Sequence, residues 1–271
     1  MKKVILFMCD ALRDDVARQH MGYMQHLVEQ NAATRWRVQA GLPTLSRPCY
    51  ETLHTGVPAA AHGVVLNYQP QPSTTPSIFS AVRAAGGRTG AAAYHWIHEL
   101  YNGPFDPVLG REVDDEACMI QHGRFYAEDD FPDIACFCLG GLLLARYQPD
   151  YLLVHPMGLD TIGHAHGGDS REYADQVIVQ DQLLAAFVPR ALAAGYTVVV
   201  TGDHGMSSQR NHNGTGDDVR CVPLYWIPAD GRGQGDTGAT VSQLAIAPTV
   251  LHTMGVPVPP TMMTPPLPVT I

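Results

Sequence analysis

The sequence predicts an α/β protein built on an open, mostly parallel sheet sandwiched by helices. Three observations carry this. Strand-like and helix-like segments alternate along the chain, the main strand-like runs are continuously apolar, and aspartates and histidines follow several of these runs. Continuous apolarity is what a strand buried on both faces requires, and alternation with helices is the mark of a parallel sheet with crossovers.

Residues 3 to 9 form the first buried strand, and 13 to 30 show helical periodicity through Val16, Met21, Met24, Leu27 and Val28. Residues 34 to 40 alternate like a short strand, Gly41-Leu42-Pro43 is a turn, and 48 to 55 can open as a helix with proline in its first turn. A helix over 77 to 85, stopped by Gly86-Gly87, leads into a strand at 89 to 94. From about 98 to 130 the pattern is lost among Gly103-Pro104, Asp106-Pro107 and Asp114-Asp115-Glu116, which reads as an irregular insertion able to cap a site. Order returns with a helix over 132 to 146, a strand at 151 to 154, a helix over 170 to 194 and strands at 197 to 201 and 222 to 227. Residues 231 to 238 read as a loop and 241 to 254 as a helix ended by Gly255. The tail from 256 to 271, with prolines at 257, 259, 260, 265, 266 and 268, reads as an extended strap.

The 271 residues suit one domain over 1–271, and hydrophobic residues at 45% with charged residues at 16% mark it as globular. A formal net charge of −9 without a basic run argues against a nucleic-acid groove, because neutralising a polyanion needs the opposite balance. The apolar run at 4 to 9 is too short for a secretory segment, and the run at 134 to 145 is too short to span a membrane. The expectation is a cytoplasmic protein with no membrane partner. Six scattered cysteines without a C-x-x-C spacing read as small buried hydrophobes rather than disulfides.

Thirteen histidines raise the question of a metal. Ligands of an open α/β sheet sit beyond the carboxyl ends of its strands. Asp10 follows the first strand, Asp160 and His164 come after the 151 strand, Asp203-His204 follow the 197 strand, and His212 lies a little further on. Asp and His donors suit zinc, with manganese as the second choice. One divalent ion could be held by Asp160, His164 and His212, and another by Asp10, Asp203 and His204. Between these clusters Ser46 precedes a helix start, where it can either cap the helix or serve as a metal-bound nucleophile with backbone N–H groups facing an anion.

Several motifs then fall in order: Phe7-Met8-Cys9-Asp10-Ala11-Leu12-Arg13, Pro43-Thr44-x-Ser46-x-Pro48, Thr55-Gly56-x-Pro58-x-x-x-His62-Gly63-Val64, Leu159-Asp160-x-x-Gly163-His164 and Gly202-Asp203-His204-Gly205-Met206. This set resembles the alkaline phosphatase superfamily and, within it, the type I phosphodiesterase/nucleotide pyrophosphatase family, over residues 4 to about 227. The resemblance implies an alkaline phosphatase-like fold and a two-metal phosphoric ester hydrolase acting on a small-molecule phosphate ester. It places Ser46 as the nucleophile, Asp10, Asp203 and His204 on the ion that activates it, and Asp160 and His164 on the other. Asn67, 21 residues after Ser46, takes the place of the family's phosphate-binding Asn, and Arg47 could touch phosphate through its backbone N–H. His212 resembles the last ligand of phosphoethanolamine transferases.

Tyr50 stands where sulfatases need Arg, and the chain lacks the large cap domains of the superfamily's mutases. The stretch around Tyr94-His95-Trp96 offers no Lys or Arg for the extra charge of a monoester, so diesters fit better. A phosphomonoesterase or phosphonate hydrolase is the enzymatic alternative, and an idle metal-binding regulatory protein the alternative of another class. His155 and His166 are candidates for orienting ligands. His62 reads as a structural turn residue and Trp96 as core.

Overall fold

The computed structural model describes residues 1–269, so the last two residues of the expected strap, 270 and 271, lie outside the described residues. The first strand, β1 (Lys3–Met8), is followed by helices α1 (Asp14–His20) and α2 (Gly22–Glu29), strand β2 (Thr34–Gln39), and helices α3 (Ser46–Thr55), α4 (Ala59–His62) and α5 (Ile78–Ala84). Strand β3 (Thr89–Tyr94), helix α6 (His95–Tyr101), strands β4 (Glu112–Asp114) and β5 (His122–Tyr126), helix α7 (Asp133–Tyr147) and strand β6 (Tyr151–Val154) come next. Helices α8 (Gly158–His166) and α9 (Arg171–Ala193), strand β7 (Tyr196–Thr201), helix α10 (Asp217–Arg220), strands β8 (Cys221–Ile227) and β9 (Gly235–Ser242), a short 3-10 turn and helix α11 (Ile246–Met254) complete the described elements.

The strands form one nine-stranded sheet in the order β4-β5-β3-β6-β1-β7-β8-β2-β9. Its centre, β5-β3-β6-β1-β7, is parallel throughout, while β8 runs antiparallel to both β7 and β2. Successive side chains of β1 point to opposite faces, so Ile5 and Phe7 join the core beneath α7 and α9, and Val4, Leu6 and Met8 join the core on the face of α3, α5 and α11. The apolar run at 3 to 9 is thus explained by burial on both sides.

Four expectations need correction. The helical segment 13 to 30 is two helices broken at Met21, because the Asp181 carboxylate of α9 accepts the Tyr23 and Met24 N–H groups at 2.8 and 3.1 Å and thereby supports a second helix start. The irregular stretch 98 to 130 contains β4 and β5, and β5 joins the sheet beside β3. Residues 231 to 238 lead into strand β9, which pairs in parallel with β2, and the α-helix expected from 241 starts only at Ile246. Helix α3 begins at Ser46, placing Pro48 in its first turn, where no intrahelical N–H is required. Among the described residues no helix is long and apolar enough to cross a membrane.

Candidate active site

Asp10 lies just beyond β1, and Asp203 with His204 just beyond the neighbouring β7, so the sheet itself brings the three together. All three are fully buried. After Asp10 the backbone turns through Ala11 in the left-handed region (φ 62), which aims the Ala11 N–H at Asp203 Oδ1, 3.0 Å away. Asp10 Oδ2 accepts the Tyr50 hydroxyl and the His155 Nε2–H, the latter at 3.1 Å. His155 Nδ1 in turn accepts the Tyr94 N–H at 3.4 Å, which fixes its tautomer. Burial by itself would raise the Asp10 carboxyl, but the His155 hydrogen bond, the neighbouring imidazoles and Tyr50 outweigh it and bring it to about 2.

The histidines face inward with lone pairs. His204 Nδ1 donates to the Gly205 carbonyl at 2.9 Å, His212 Nδ1 to the Thr44 carbonyl at 2.6 Å and His164 Nδ1 to the Arg210 carbonyl at 2.9 Å. Each Nε2 is therefore an acceptor, and the backbone has set the tautomer. His204 Nε2 lies 3.2 Å from Asp203 Oδ2 and 3.6 Å from Asp10 Oδ1. Asp160 Oδ1 lies 3.4 Å from His164 Nε2 and 3.8 Å from His212 Nε2. Among the described residues, Asp10 Oδ1, Asp160 Oδ1 and Asp203 Oδ2 have no hydrogen-bond donor.

Lone pairs thus face lone pairs in a mostly buried space, an arrangement that a bound cation or a shared proton makes favourable. The electrostatics agree. Burial, followed by the charge of Asp10, pushes the Asp160 and Asp203 carboxyls well above their usual range, while burial and then His212 bring His204 down to about 3. Two triplets have donor atoms close enough to share an ion: Asp10, Asp203 and His204, and Asp160, His204 and His212. His164 stands beside the second triplet, its ring 5.1 Å from that of His212, and its side chain is 45% exposed. The donor set of carboxylate oxygens and imidazole nitrogens suits a pair of divalent ions.

Ser46 is the first residue of α3, and its hydroxyl does not cap the helix; it donates to His204 Nε2 at 3.1 Å. The capping role is not taken up, and the hydroxyl faces the cluster instead. The Arg47 N–H donates to Asn67 Oδ1 at 3.1 Å, so Asn67 sits at the same helix start and that N–H is already engaged. The Arg47 guanidinium is buried, pairs with Glu99, and lies 5.0 Å above the Trp96 ring. A cation therefore does approach the Trp96 region, but neutralised by a carboxylate.

The glycines of two motifs serve close packing. A Cβ on Gly205 would fall 2.2 Å from the Asp218 carbonyl, and one on Gly163 would fall 2.6 Å from Met206, so the segments carrying Asp160 and His204 interlock only without side chains there. His62 donates to Thr52 at 3.0 Å and accepts the Val64 N–H, a structural turn residue as expected. His166 lies away from the cluster, 4.0 Å from Glu172, and His252 is exposed on α11. Sequence reasoning missed Tyr50 as a partner of Asp10 and Asp133 as the acceptor of the Gly158 N–H at the start of α8.

The chain is similar to several known proteins. The human GPI ethanolamine phosphate transferase 2 catalytic subunit is 26% identical over 274 residues, covering 95% of this chain but 27% of that protein. Among solved structures, murine ectonucleotide pyrophosphatase/phosphodiesterase 5, as an inactive variant in complex with AMP, superposes with a TM-score of 0.70 at 14% identity, covering 96% of both chains. The phosphonate monoester hydrolase of Silicibacter pomeroyi superposes with a TM-score of 0.65 at 16% identity, covering 98% of this chain and 76% of that one. Residues 4–233 match the profile of the type I phosphodiesterase / nucleotide pyrophosphatase family, and the chain belongs to that family, within the alkaline phosphatase superfamily.

Proposed function

We propose that this chain hydrolyses phosphodiesters with two divalent ions and a phospho-serine intermediate. The observation that carries the reading is the Ser46 hydroxyl, free of any capping role and 3.1 Å from His204 Nε2 at the centre of the buried cluster. Zinc first, or manganese, held by Asp10, Asp203 and His204 and by Asp160, His212 and the adjacent His164, would neutralise charge at the attacking and departing oxygens. Ser46 Oγ gives its proton to solvent and bonds to phosphorus as the bond to the first alcohol breaks, that alcohol leaves with a proton taken from solvent, and the rest of the substrate stays on Ser46 as a phosphodiester. Water then attacks the phospho-serine, releasing the phosphomonoester and restoring the Ser46 hydroxyl. Asn67, whose Oδ1 is engaged, has Nδ2 as the end able to donate to a phosphoryl oxygen. Arg47 brings no free charge to that oxygen, which supports diesters over monoesters.

Bis-p-nitrophenyl phosphate turnover by the zinc- or manganese-loaded protein, with acid-stable phosphate trapped on Ser46, tests this. Full turnover by Ser46→Ala would overturn the covalent step.

A second reading is favoured by the relatives' names. An ethanolamine phosphate transferase, by its name, passes a phosphate ester group to an acceptor, and the esterified Ser46 could do the same here. An added alcohol that raises product release and appears as a new phosphodiester would favour transfer over hydrolysis.

A further inference from the structure

We propose that Arg47 is a positioning residue that clamps the loop carrying Asn67, a role resting on the reading of Asn67 as a phosphate donor. Arg47 holds that loop at two points. Its backbone N–H, in the first turn of α3, meets Asn67 Oδ1 at 3.1 Å, and its Nη1 donates to the Gln69 carbonyl at 3.1 Å. The Gln69 side chain closes the same loop on itself, accepting the Val65 N–H at 3.2 Å and donating to the Gly63 carbonyl at 3.3 Å. The far side of the guanidinium is fixed in turn: Nη2 pairs with Glu99 of α6, and the group lies over Trp96 of the same helix.

A carboxamide has two ends, and which one faces substrate decides whether it donates or accepts. The N–H of Arg47 can only donate, so it selects Oδ1 and leaves Nδ2 as the outward end. The guanidinium supplies what a single hydrogen bond cannot, a second anchor two residues along the loop. Further out, Glu51, one helical turn after Arg47 on α3, accepts from Ser73, and the Ser73 N–H meets the Leu100 carbonyl at 2.8 Å. The stretch from Asn67 to Ser73 is thus strung between α3 and α6, with Arg47 at the end nearest Ser46. Fixing a donor in advance is what gives it value in a transition state.

The test is a cycle with zinc-loaded Arg47→Met, Asn67→Ala and the double variant on bis-p-nitrophenyl phosphate, each checked for fold by thermal melting and for zinc content. Each single change should lower kcat about a hundredfold with KM nearly unchanged, and the double variant should be no slower than Asn67→Ala alone. An Arg47→Met effect of equal size in the Asn67→Ala background, or no effect in the wild type, would overturn the proposal. Should Arg47→Met melt early because Glu99 is left unpaired, Arg47→Met with Glu99→Gln removes both charges and enters the same cycle. An independent readout is the Asn67 side-chain amide in 1H–15N spectra, assigned by its loss in Asn67→Ala: it should shift and broaden when Arg47 is replaced, and an unchanged signal overturns the clamp. If the wild type turns over no ester, the hydrolase reading fails while the amide signal still decides the clamp.

Discussion

Asp10, Asp203 and His204 hang from the ends of two adjacent central strands and are wholly buried, whereas Asp160, His164 and His212 come from a helix and a loop, and the His164 side chain is 45% exposed. The strand-borne half inherits its geometry from a hydrogen-bonded ladder on which β1 and β7 pair residue by residue from Lys3–Tyr196 to Met8–Thr201. The helix-and-loop half depends on local ties. His212 and Thr44 lock each other both ways, His212 Nδ1 on the Thr44 carbonyl and the Thr44 hydroxyl on the His212 carbonyl at 2.6 Å, while His164 relies on the carbonyl of Arg210, itself at a left-handed φ of 60. The first half is wholly buried beside Ser46, and the second reaches solvent through His164.

This contrast can be broken or sharpened by experiment. The largest effect belongs to the proposed nucleophile: Ser46→Ala should cost about 10⁴-fold or more in kcat while zinc content, measured by mass spectrometry, stays near the wild type. Next, Asp203→Asn in the strand-borne half should cost about a thousandfold, several kcal/mol of charge stabilisation, against only about ten- to a hundredfold for His164→Ala in the helix-and-loop half. Equal losses in kinetics on the same diester would erase the distinction between the halves.

Smaller is the substrate preference, about tenfold in kcat/KM for bis-p-nitrophenyl over p-nitrophenyl phosphate, or roughly 1.4 kcal/mol. Burial pulls His95 and His98 below the ordinary histidine value of about 6.5, so neither imidazole becomes a cation for a monoester at neutral or alkaline pH. The preference should therefore hold from pH 8 down to neutral pH, and a monoester preference at pH 8 would contradict it. The smallest effect is that of Glu99→Gln, which leaves the Arg47 charge uncompensated and should move the ratio toward the monoester by about threefold, read from paired kcat/KM values.

Much of this was legible in the chain because it is written in local pattern. Runs such as Val4 to Met8 and Thr197 to Thr201 declare buried strands, and the acids and imidazoles just beyond them follow from that placement. Asn67 and the roles of the ligands came from motif order rather than periodicity. Strand β9 was missed because it is an exposed, glycine-containing edge held by its pairing with β2 rather than by an apolar pattern of its own. Strand β5 was missed because its His122 and Arg124 are buried by pairing with Asp114 across to β4. The inward turn of the Arg47 side chain needs Glu99 and the Gln69 carbonyl, partners that sequence spacing does not announce.

The place of β1 in the sheet has a consequence for how the molecule is made. Strand β1 lies at the centre of the sheet but comes before both of its neighbours in the chain, and Val4 finds its partners at Tyr151 and Thr197. Until most of the chain exists, that apolar segment has no sheet to enter, so folding must wait on distant pairings, with slow rates and an exposed sticky strand as the cost. The cluster around Ser46 cannot assemble before β7 docks beside β1, which makes catalytic competence a late event in the life of each new chain.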